Sequence, residues 1–115
     1  MSISFDGVGQ VCATFWDGGV AVGQVAAVKE AGTVGACADG KSFCGAALHC
    51  RDGACAVQVK GFLTVPFSGT APGLGQAGLC GNGQGGVRTA GETDQKTACL
   101  VVDVDDAAKT VTILL

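Results

Sequence analysis

Residues Cys44–Pro66, CGAALHCRDGACAVQVKGFLTVP, decide the fold because their turn residues fix a strand register. Asp52-Gly53 is a pair favoured in two-residue hairpin turns, where both central positions need positive φ. The cross-strand pairs that follow from a turn at this position are Arg51–Ala54, Cys50–Cys55, Leu48–Val57 and Ala46–Val59. The stretch therefore predicts an antiparallel β-hairpin that continues into a further strand.

The predicted register sorts the hairpin into two faces, because side chains alternate across a strand with period two. The residues of one face are all apolar, namely Cys44, Ala46, Leu48, Cys50, Cys55, Val57 and Val59. Those of the other face are mixed and wettable, namely Ala47, His49, Arg51, Ala54, Gln58 and Lys60. Such alternation is typical of an antiparallel pair with one face on a core.

The rest of the chain repeats short apolar runs separated by turn signals. Helical periodicity is almost absent, and Gln24–Ala31, whose composition would suit a short helix, is predicted to be a strand that enters a hairpin at Ala31-Gly32. The apolar runs lie at Ile3–Phe5, Val11–Trp16, Val20–Val28, Val34–Ala38, Phe43–Cys50, Cys55–Val65, Val87–Ala90, Ala98–Val104 and Thr110–Leu115. They predict an all-β fold over residues 1–115, a small single-domain β-barrel or sandwich of short antiparallel strands and hairpins.

The end of the chain predicts one more hairpin, and the middle predicts one long loop. Cys99–Asp103 should pair with Val111–Leu115, and this apolar last strand must be paired within the sheet or covered by a neighbouring subunit. Pro66–Gly86, PFSGTAPGLGQAGLCGNGQGG, is predicted as a long Gly/Pro-rich loop with at most a short strand around Leu79. Loops of this length usually serve contact or function.

Composition and charge argue against several classes of function. The net charge is −3 without a run of Lys or Arg, which argues against nucleic-acid binding. The apolar stretches are strand-length and broken by Gly, so none is predicted to span a membrane as a helix, and no secretory signal is recognised. Charged residues make up 15%, below the roughly 25% usual for soluble domains. With a mean hydropathy of +0.43, this predicts an oligomer or a docking surface.

Seven cysteines, an odd number, favour reduced thiols in an intracellular chain over a secreted disulfide framework. Cys50 and Cys55 are predicted to have Cα atoms about 4.5 Å apart, so a bridge between them can form in air, without a physiological role. No metal site is predicted, because the chain has no C-x-x-C pair and His49 points away from these two cysteines. Buried cysteine acting as a small hydrophobe is the favoured interpretation.

Three further motifs lack the structural context that their chemistry needs. Gly73–Gly78 matches G-x-G-x-x-G, but a loop precedes it and glycines follow it where a helix should start, so no dinucleotide site is predicted. The aspartates of 103–106 lack the glycine and distal Glu of a calcium loop. Lys41 lies in a tight turn like the carrier lysine of lipoyl and biotinyl domains, without that lysine's flanking residues. We predict no cofactor and no enzyme activity, since no base, nucleophile and oxyanion donor can be assembled.

Several segments after about Val20 carry a resemblance to phage proteins. They are Phe43–Pro72, with Gly45-Ala46-Ala47-Leu48, Arg51-Asp52-Gly53, Val57-Gln58-Val59-Lys60-Gly61 and Pro66-Phe67-Ser68-Gly69-Thr70-Ala71-Pro72, and the closing Leu100-Val101-Val102-Asp103-Val104 and Ala108-Lys109-Thr110-Val111. They look like small prophage-encoded β proteins, which are similar in turn to phage head-decoration (capsid cement) proteins. The cysteines depart from that pattern and are interpreted as local core substitutions.

The resemblance implies a virion structural protein that has no catalytic residue. Many copies, made in the bacterial cytoplasm, would lie on the capsid surface as homo-oligomers, with a homotrimer favoured. There they would contact the major capsid protein and oppose expansion by packaged DNA. Phe67, Pro72 and Leu74 are predicted to lie at a subunit or capsid contact. Two alternatives stay open: a small intracellular β-barrel that binds a ligand or carries a group, and a thiol-redox or metal protein.

Overall fold

The structure, a computed structural model, describes residues 10–115, and its regular elements there are all β-strands. The strands are β1 Val11–Asp17, β2 Val25–Glu30, β3 Thr33–Ala36, β4 Gly45–Arg51, β5 Ala54–Lys60, β6 Phe62–Pro66, β7 Gly75–Gly81, β8 Val87–Thr89, β9 Thr97–Asp105 and β10 Thr110–Leu114. The predicted all-β fold with a barrel is confirmed. The apolar run predicted at Ile3–Phe5 lies outside the described residues.

Five strands close into a barrel in the order β1-β3-β2-β4-β5. The predicted hairpin at Ala31-Gly32 is confirmed as β2–β3, and β1 pairs antiparallel with β5 along its length. β1 and β3 complete the barrel as a parallel pair through only two residue pairs, Trp16–Thr33 and Asp17–Val34. Beside them the Trp16 N–H donates to the Gly32 carbonyl at 2.8 Å. Closure therefore depends on a short contact at the end of β1.

The other five strands form a second sheet in the order β6-β10-β9-β7-β8. The predicted β9–β10 hairpin is confirmed, and β10 lies between β6 and β9. The apolar strand at the end of the chain is therefore paired on both sides within the sheet. Val111 and Ile113 are buried on it, and Thr112 between them is buried as well, with its hydroxyl 2.9 Å from the hydroxyl of Thr64.

Two apolar cores hold the sheets, and β2 contributes to both. The barrel core contains Val20, Ala26, Val34, Ala47, Cys55 and Val57. The sheet core contains Val25, Ala27, Cys37, Phe43, Ala46, Leu63, Val65, Phe67, Leu79, Val87, Cys99, Val101, Val111 and Ile113. Successive side chains of a strand face opposite sides, so Ala26 enters the barrel core while Val25 and Ala27 pack against the second sheet. The barrel wall is thus shared between the two cores.

The predicted register of the β4–β5 hairpin is right near the turn and wrong beyond Leu48. Cys50 is opposite Cys55, but the register shifts by one residue so that Ala47, not Leu48, is opposite Val57. A bulge of one residue changes which side chains face the core. Ala47 consequently occupies the place in the barrel core predicted for Leu48, whose side chain is exposed.

Gln58 was predicted on the wettable face, but only 4% of it is exposed. Its side-chain amide donates to the carbonyl oxygens of Lys60 at 3.1 Å and Phe62 at 2.8 Å, and its side-chain oxygen accepts from Gln10 Nε2 at 3.1 Å. These partners surround Gly61, where the chain leaves the barrel for the second sheet. The prediction is wrong because both faces of β5 are covered at this end.

The long loop predicted over Pro66–Gly86 is shorter than expected, because seven of its residues form β7. β7 pairs with β9 and β8 despite its sequence, GQAGLCG. Gly81 has a steric reason, because a Cβ there would lie 2.6 Å from Cys37 Sγ and 2.8 Å from the Ala38 carbonyl oxygen. A Cβ at Gly78 would meet only the flexible Lys96 side chain, at 3.1 Å. Residues 67–74 and 82–86 remain irregular apart from an isolated bridge between Phe67 and Val87.

Gly45→Ala should destabilise the protein strongly. A Cβ at this position would overlap the Gln58 carbonyl oxygen and lie 2.8 Å from its carbonyl carbon, so the β4 and β5 backbones would have to separate. We expect a loss of about 3 kcal/mol in the free energy of unfolding, the upper end for overpacking, measured by urea denaturation. The matched control is Gly73→Ala, where a Cβ meets nothing within 4 Å and stability should barely change. Equal stability of the two variants would contradict this steric account.

Candidate functional site

A disulfide closes the β4–β5 hairpin at the residue pair next to its turn. Cys50 and Cys55 are directly opposed, with Cα atoms 4.1 Å apart, and their sulfurs are bonded. The predicted cross-strand pairing is confirmed. The general expectation of reduced thiols does not hold for these two cysteines, which form the bridge that their predicted spacing allowed. The remaining cysteines are free thiols, namely Cys12, Cys37, Cys44, Cys80 and Cys99.

Asp17, the last residue of β1, lies against this disulfide. One carboxylate oxygen and the two Sγ atoms all lie within 4.8 Å of one another. The Asp17 N–H donates to the Gly53 carbonyl at 2.9 Å, and Asp17 Oδ1 accepts from the Gly19 N–H at 2.8 Å. These bonds fasten the end of β1 over the end of the hairpin and fix the position of the carboxylate. We call Asp17, Cys50 and Cys55 the hairpin-end cluster.

His49 is exposed and does not belong to the hairpin-end cluster. The prediction that it cannot share an ion with Cys50 and Cys55 is consistent with this placement. Burial raises the pKa of four of the free thiols, those of Cys37, Cys44, Cys80 and Cys99. A raised pKa leaves little thiolate at neutral pH, so these side chains are weak nucleophiles and weak metal ligands.

A cleft of about 410 Å³ lies between the barrel and the loop that precedes β9. It is lined by Ala27, Val28, Lys29, Ala38, Lys41, Ser42, Phe43, Cys44 and Gln95. Gln95 Oε1 accepts hydrogen bonds from the Ser42 N–H at 3.1 Å and the Ser42 hydroxyl at 3.4 Å. No ion pair of Lys29 or Lys41 is found among residues 10–115. This lysine cleft therefore combines an apolar floor with two positive charges.

One wall of the lysine cleft is ordered by Arg88. Its Nε donates to Asp39 Oδ1 and its Nη1 to Asp94 Oδ2, each at 2.8 Å. Asp94 Oδ2 also accepts from the Gly91 N–H at 2.7 Å. The Arg88 and Gly91 hydrogen bonds lower the pKa of the Asp94 carboxyl. The guanidinium thus ties the loop that carries Asp39 and Lys41 to the loop that carries Asp94.

Six large apolar side chains are exposed within the described part of the chain: Val11, Trp16, Val22, Val28, Leu48 and Leu74. Trp16 is 66% exposed and borders a shallow cleft of about 350 Å³ with Thr14, Phe15, Gly32 and Ala54. An indole is a large apolar body with one donor, and such side chains are enriched at protein interfaces. We call this surface the tryptophan cleft.

The three residues predicted at a partner contact lie in different environments. Phe67 is 4% exposed in the sheet core, where its N–H donates to the Lys109 carbonyl at 2.9 Å and the Lys109 ammonium lies 5.6 Å from its ring centroid. Pro72 is buried, and Leu74 is 73% exposed. The contact itself stays a prediction, and within the single chain only Leu74 of the three offers an accessible side chain.

The sequence did not reveal that Asp17 lies beside Cys50 and Cys55, or that Gln95 lines the same cleft as Lys41. Asp17 is far from Cys50 along the chain and reaches it only because Trp16 on β1 pairs with Ala54 on β5. Gln95 likewise joins Ser42 across a long sequence separation. Asp17-Gly18-Gly19 was noted only as a turn signal. No local pattern reveals which strand that turn lies against.

Thiol labelling should separate the cysteines into three classes. Cys12 is exposed and should react with a maleimide in the folded protein, whereas the buried thiols of Cys37, Cys80 and Cys99 should react only after unfolding. Five adducts are expected in denaturant without reductant, and seven after reduction, because Cys50 and Cys55 are bonded. Intact mass gives the count. Seven adducts without reductant would contradict the disulfide.

Asp94→Asn should change how the stability of the folded protein decreases at acidic pH. The pKa of Asp94 is lower in the folded protein than in the unfolded chain. Its ionised carboxylate therefore stabilises the fold fully above the unfolded-state pKa of about 3.9, and this stabilisation is lost as the pH falls through the folded-state pKa. The variant should be less stable at pH 7 and lose less stability between pH 5 and pH 2, measured by thermal unfolding at each pH. Asp103→Asn, at an exposed position on β9, is the control and should follow the wild-type profile. Parallel profiles for wild type and Asp94→Asn would contradict the assignment.

Comparisons with protein families, with curated proteins and with solved structures found no significant match to this chain. Residues 10–115 also contain no helix with the length and hydropathy needed to cross a membrane.

Proposed function

We propose that this chain is a virion structural protein that decorates and stabilises a phage head. The observation that carries the proposal is the exposure of large apolar side chains, above all Trp16 at 66% and Leu74 at 73%. Only 15% of the residues are charged, so few ionic groups compensate for this apolar surface. A surface of this kind favours burial against another protein. The resemblance of Phe43–Pro72 to head-decoration proteins supplies the class of partner, a major capsid protein.

The proposed site of action is the capsid surface, after synthesis in the bacterial cytoplasm, with a homotrimer as the proposed oligomer. Support comes from the architecture, in which β2 is shared by two cores and β10 is paired on both sides. A shell-stabilising protein needs a stiff body that resists deformation, and paired strands around packed cores provide one. The role requires neither nucleic-acid binding nor a cofactor.

Particle composition provides the direct test. Prophages of the source organism are induced, intact filled heads are purified, and the proteins are quantified by mass spectrometry. We expect this chain in a fixed ratio to the major capsid protein. Its absence from intact, filled particles would overturn the decoration proposal.

The Trp16→Ala, Leu74→Ala double variant should bind particles at least about tenfold more weakly than wild type, because truncating interface anchors typically costs more than 1 kcal/mol. The two side chains are exposed, so their removal should leave the fold intact. The measurement is co-sedimentation with particles that lack the protein. Gln84→Ala, an exposed polar position, is the control and should bind as wild type does. Unchanged binding of the double variant would exclude these two side chains from the contact.

The lysine cleft favours a second candidate, a small intracellular β-barrel that binds a ligand or carries a group. Lys29 and Lys41 flank an apolar floor formed by Ala27 and Phe43, which suits a small carboxylate or phosphate with an apolar body. Intact mass of protein purified from its source would reveal a group attached to Lys41. An unmodified mass, together with no ligand released on denaturation, would remove this candidate.

A further inference from the structure

We propose that the hairpin-end cluster binds a thiophilic divalent cation such as Zn²⁺ when the Cys50–Cys55 bond is reduced. Two thiolates and one carboxylate are ligands that zinc accepts in four-coordinate sites, where solvent supplies a fourth ligand. Among residues 10–115, Asp17, Cys50 and Cys55 are the potential metal ligands found close enough together to hold one ion. The inference goes beyond the decoration role, which requires no metal.

The distances suit this coordination with small side-chain movements. Zn–S bonds of about 2.3 Å in a tetrahedral site place the two sulfurs roughly 3.8 Å apart, which directly opposed strand residues can span after reduction. The carboxylate oxygen lies within 4.8 Å of both sulfurs, and coordination needs an approach of about 1 Å. Asp17 is exposed at the end of β1 and can make that movement.

The carboxylate is positioned before any ion arrives. The Gly19 N–H holds Asp17 Oδ1 at 2.8 Å, and the Asp17 N–H is bonded to the turn residue Gly53 at 2.9 Å. Ligating carboxylates in metal sites are commonly oriented by hydrogen bonds of this kind. The Asp17 ligand therefore has supporting contacts already in place.

Reduction and metal binding form a balanced sequence. A phosphine attacks one sulfur of the Cys50–Cys55 bond, and water then displaces the phosphine as its oxide, so the phosphine is oxidised and the protein gains two thiols. Zn²⁺ then displaces one proton from each thiol as the two Zn–S bonds form. The disulfide and the metal site are mutually exclusive, because both use the same two sulfurs.

The other thiols do not compete well for the ion. Within residues 10–115, no two further ligand side chains are grouped with Cys37, Cys44, Cys80 or Cys99. Cys12 is exposed but is not grouped with two further ligands. The oxidised protein retains all five of these thiols and is consequently a natural control for binding elsewhere.

Cobalt titration tests the proposal on the full-length chain. Protein reduced with a phosphine should bind one Co²⁺ per chain, with thiolate-to-cobalt charge-transfer absorption and the visible bands of four-coordinate cobalt, and Zn²⁺ should displace it. Asp17→Asn should weaken Co²⁺ binding at least about tenfold, the lower bound for loss of even an outer-shell partner. The oxidised wild type should show no charge-transfer band.

Two control variants test whether Co²⁺ binding is specific to the hairpin-end cluster. Asp52→Asn changes an exposed carboxylate in the adjacent turn, and Cys12→Ser removes the exposed free thiol; both should bind Co²⁺ as wild type does. Equal Co²⁺ binding by oxidised and reduced wild type would overturn the proposal, as would wild-type affinity in Asp17→Asn. Absence of the charge-transfer band in the reduced protein would do the same. None of these readouts depends on particle binding, so they are independent of the decoration proposal.

Discussion

The close approach of Gly45 on β4 to Gln58 on β5 is the constraint on which the rest of the structure depends. A side chain at Gly45 would overlap the Gln58 carbonyl, so the two backbones can lie this close only with glycine there. The Gln58 side chain then bonds the carbonyl groups of Lys60 and Phe62 on either side of Gly61. Gly61 has φ of +99°, a backbone conformation that glycine adopts without strain. The packing around Gly45, Gln58 and Gly61 therefore determines both how closely β4 and β5 pair and the direction in which the chain leaves the barrel.

The position of Gly61 also explains why residues of the barrel wall take part in the sheet core. From Gly61 the chain enters β6, and Leu115 near the end of β10 is bonded back to Gly61 in both directions, at 3.1 and 3.4 Å. The second sheet is thus held against the barrel at the point where it begins. Val25, Ala27 and Ala46 of the barrel wall are then covered by Leu63, Val65 and the other members of the sheet core. The lysine cleft lies along this same junction, where barrel residues meet the loop before β9.

Local chemistry in the sequence was enough to predict the turns but not their long-range consequences. Asp52-Gly53 located the hairpin and the Cys50–Cys55 pair, because a two-residue turn fixes the pairs next to it. The bulge at Leu48 was not predictable, since it arises where β4 meets both β2 and β5 rather than from the residues of the hairpin. The length of β7 was underestimated for a related reason, since at most a short strand around Leu79 was predicted there. Its glycines weaken a strand locally, but at Gly81 the neighbouring Cys37 leaves no room for a larger residue.

The residues of the candidate site show the same contrast between local sequence signals and long-range pairing. The pairing of Cys50 with Cys55 and the turn at Lys41 were predicted, because each lies in or beside a turn that the sequence identifies, although neither was predicted to be a site. Asp17, Trp16 and Gln95 were not recognised as site residues, since only tertiary pairing brings them to a cleft or cluster. Exposure of Leu74, in contrast, follows from its place in a Gly/Pro-rich segment, which gives its side chain little to pack against.

Trp16 and Asp17 connect the two proposals at the short pairing that closes the barrel. These consecutive residues provide both pairs that close β1 against β3, and one presents the exposed indole while the other faces the Cys50–Cys55 sulfurs. β1 is already held to the hairpin by its pairing with β5 and by the Asp17–Gly53 hydrogen bond. A metal ion held by Asp17 would add a link from β1 to both sulfurs. Because Trp16 is the chain neighbour of Asp17, this link would lie next to the surface that we propose for docking.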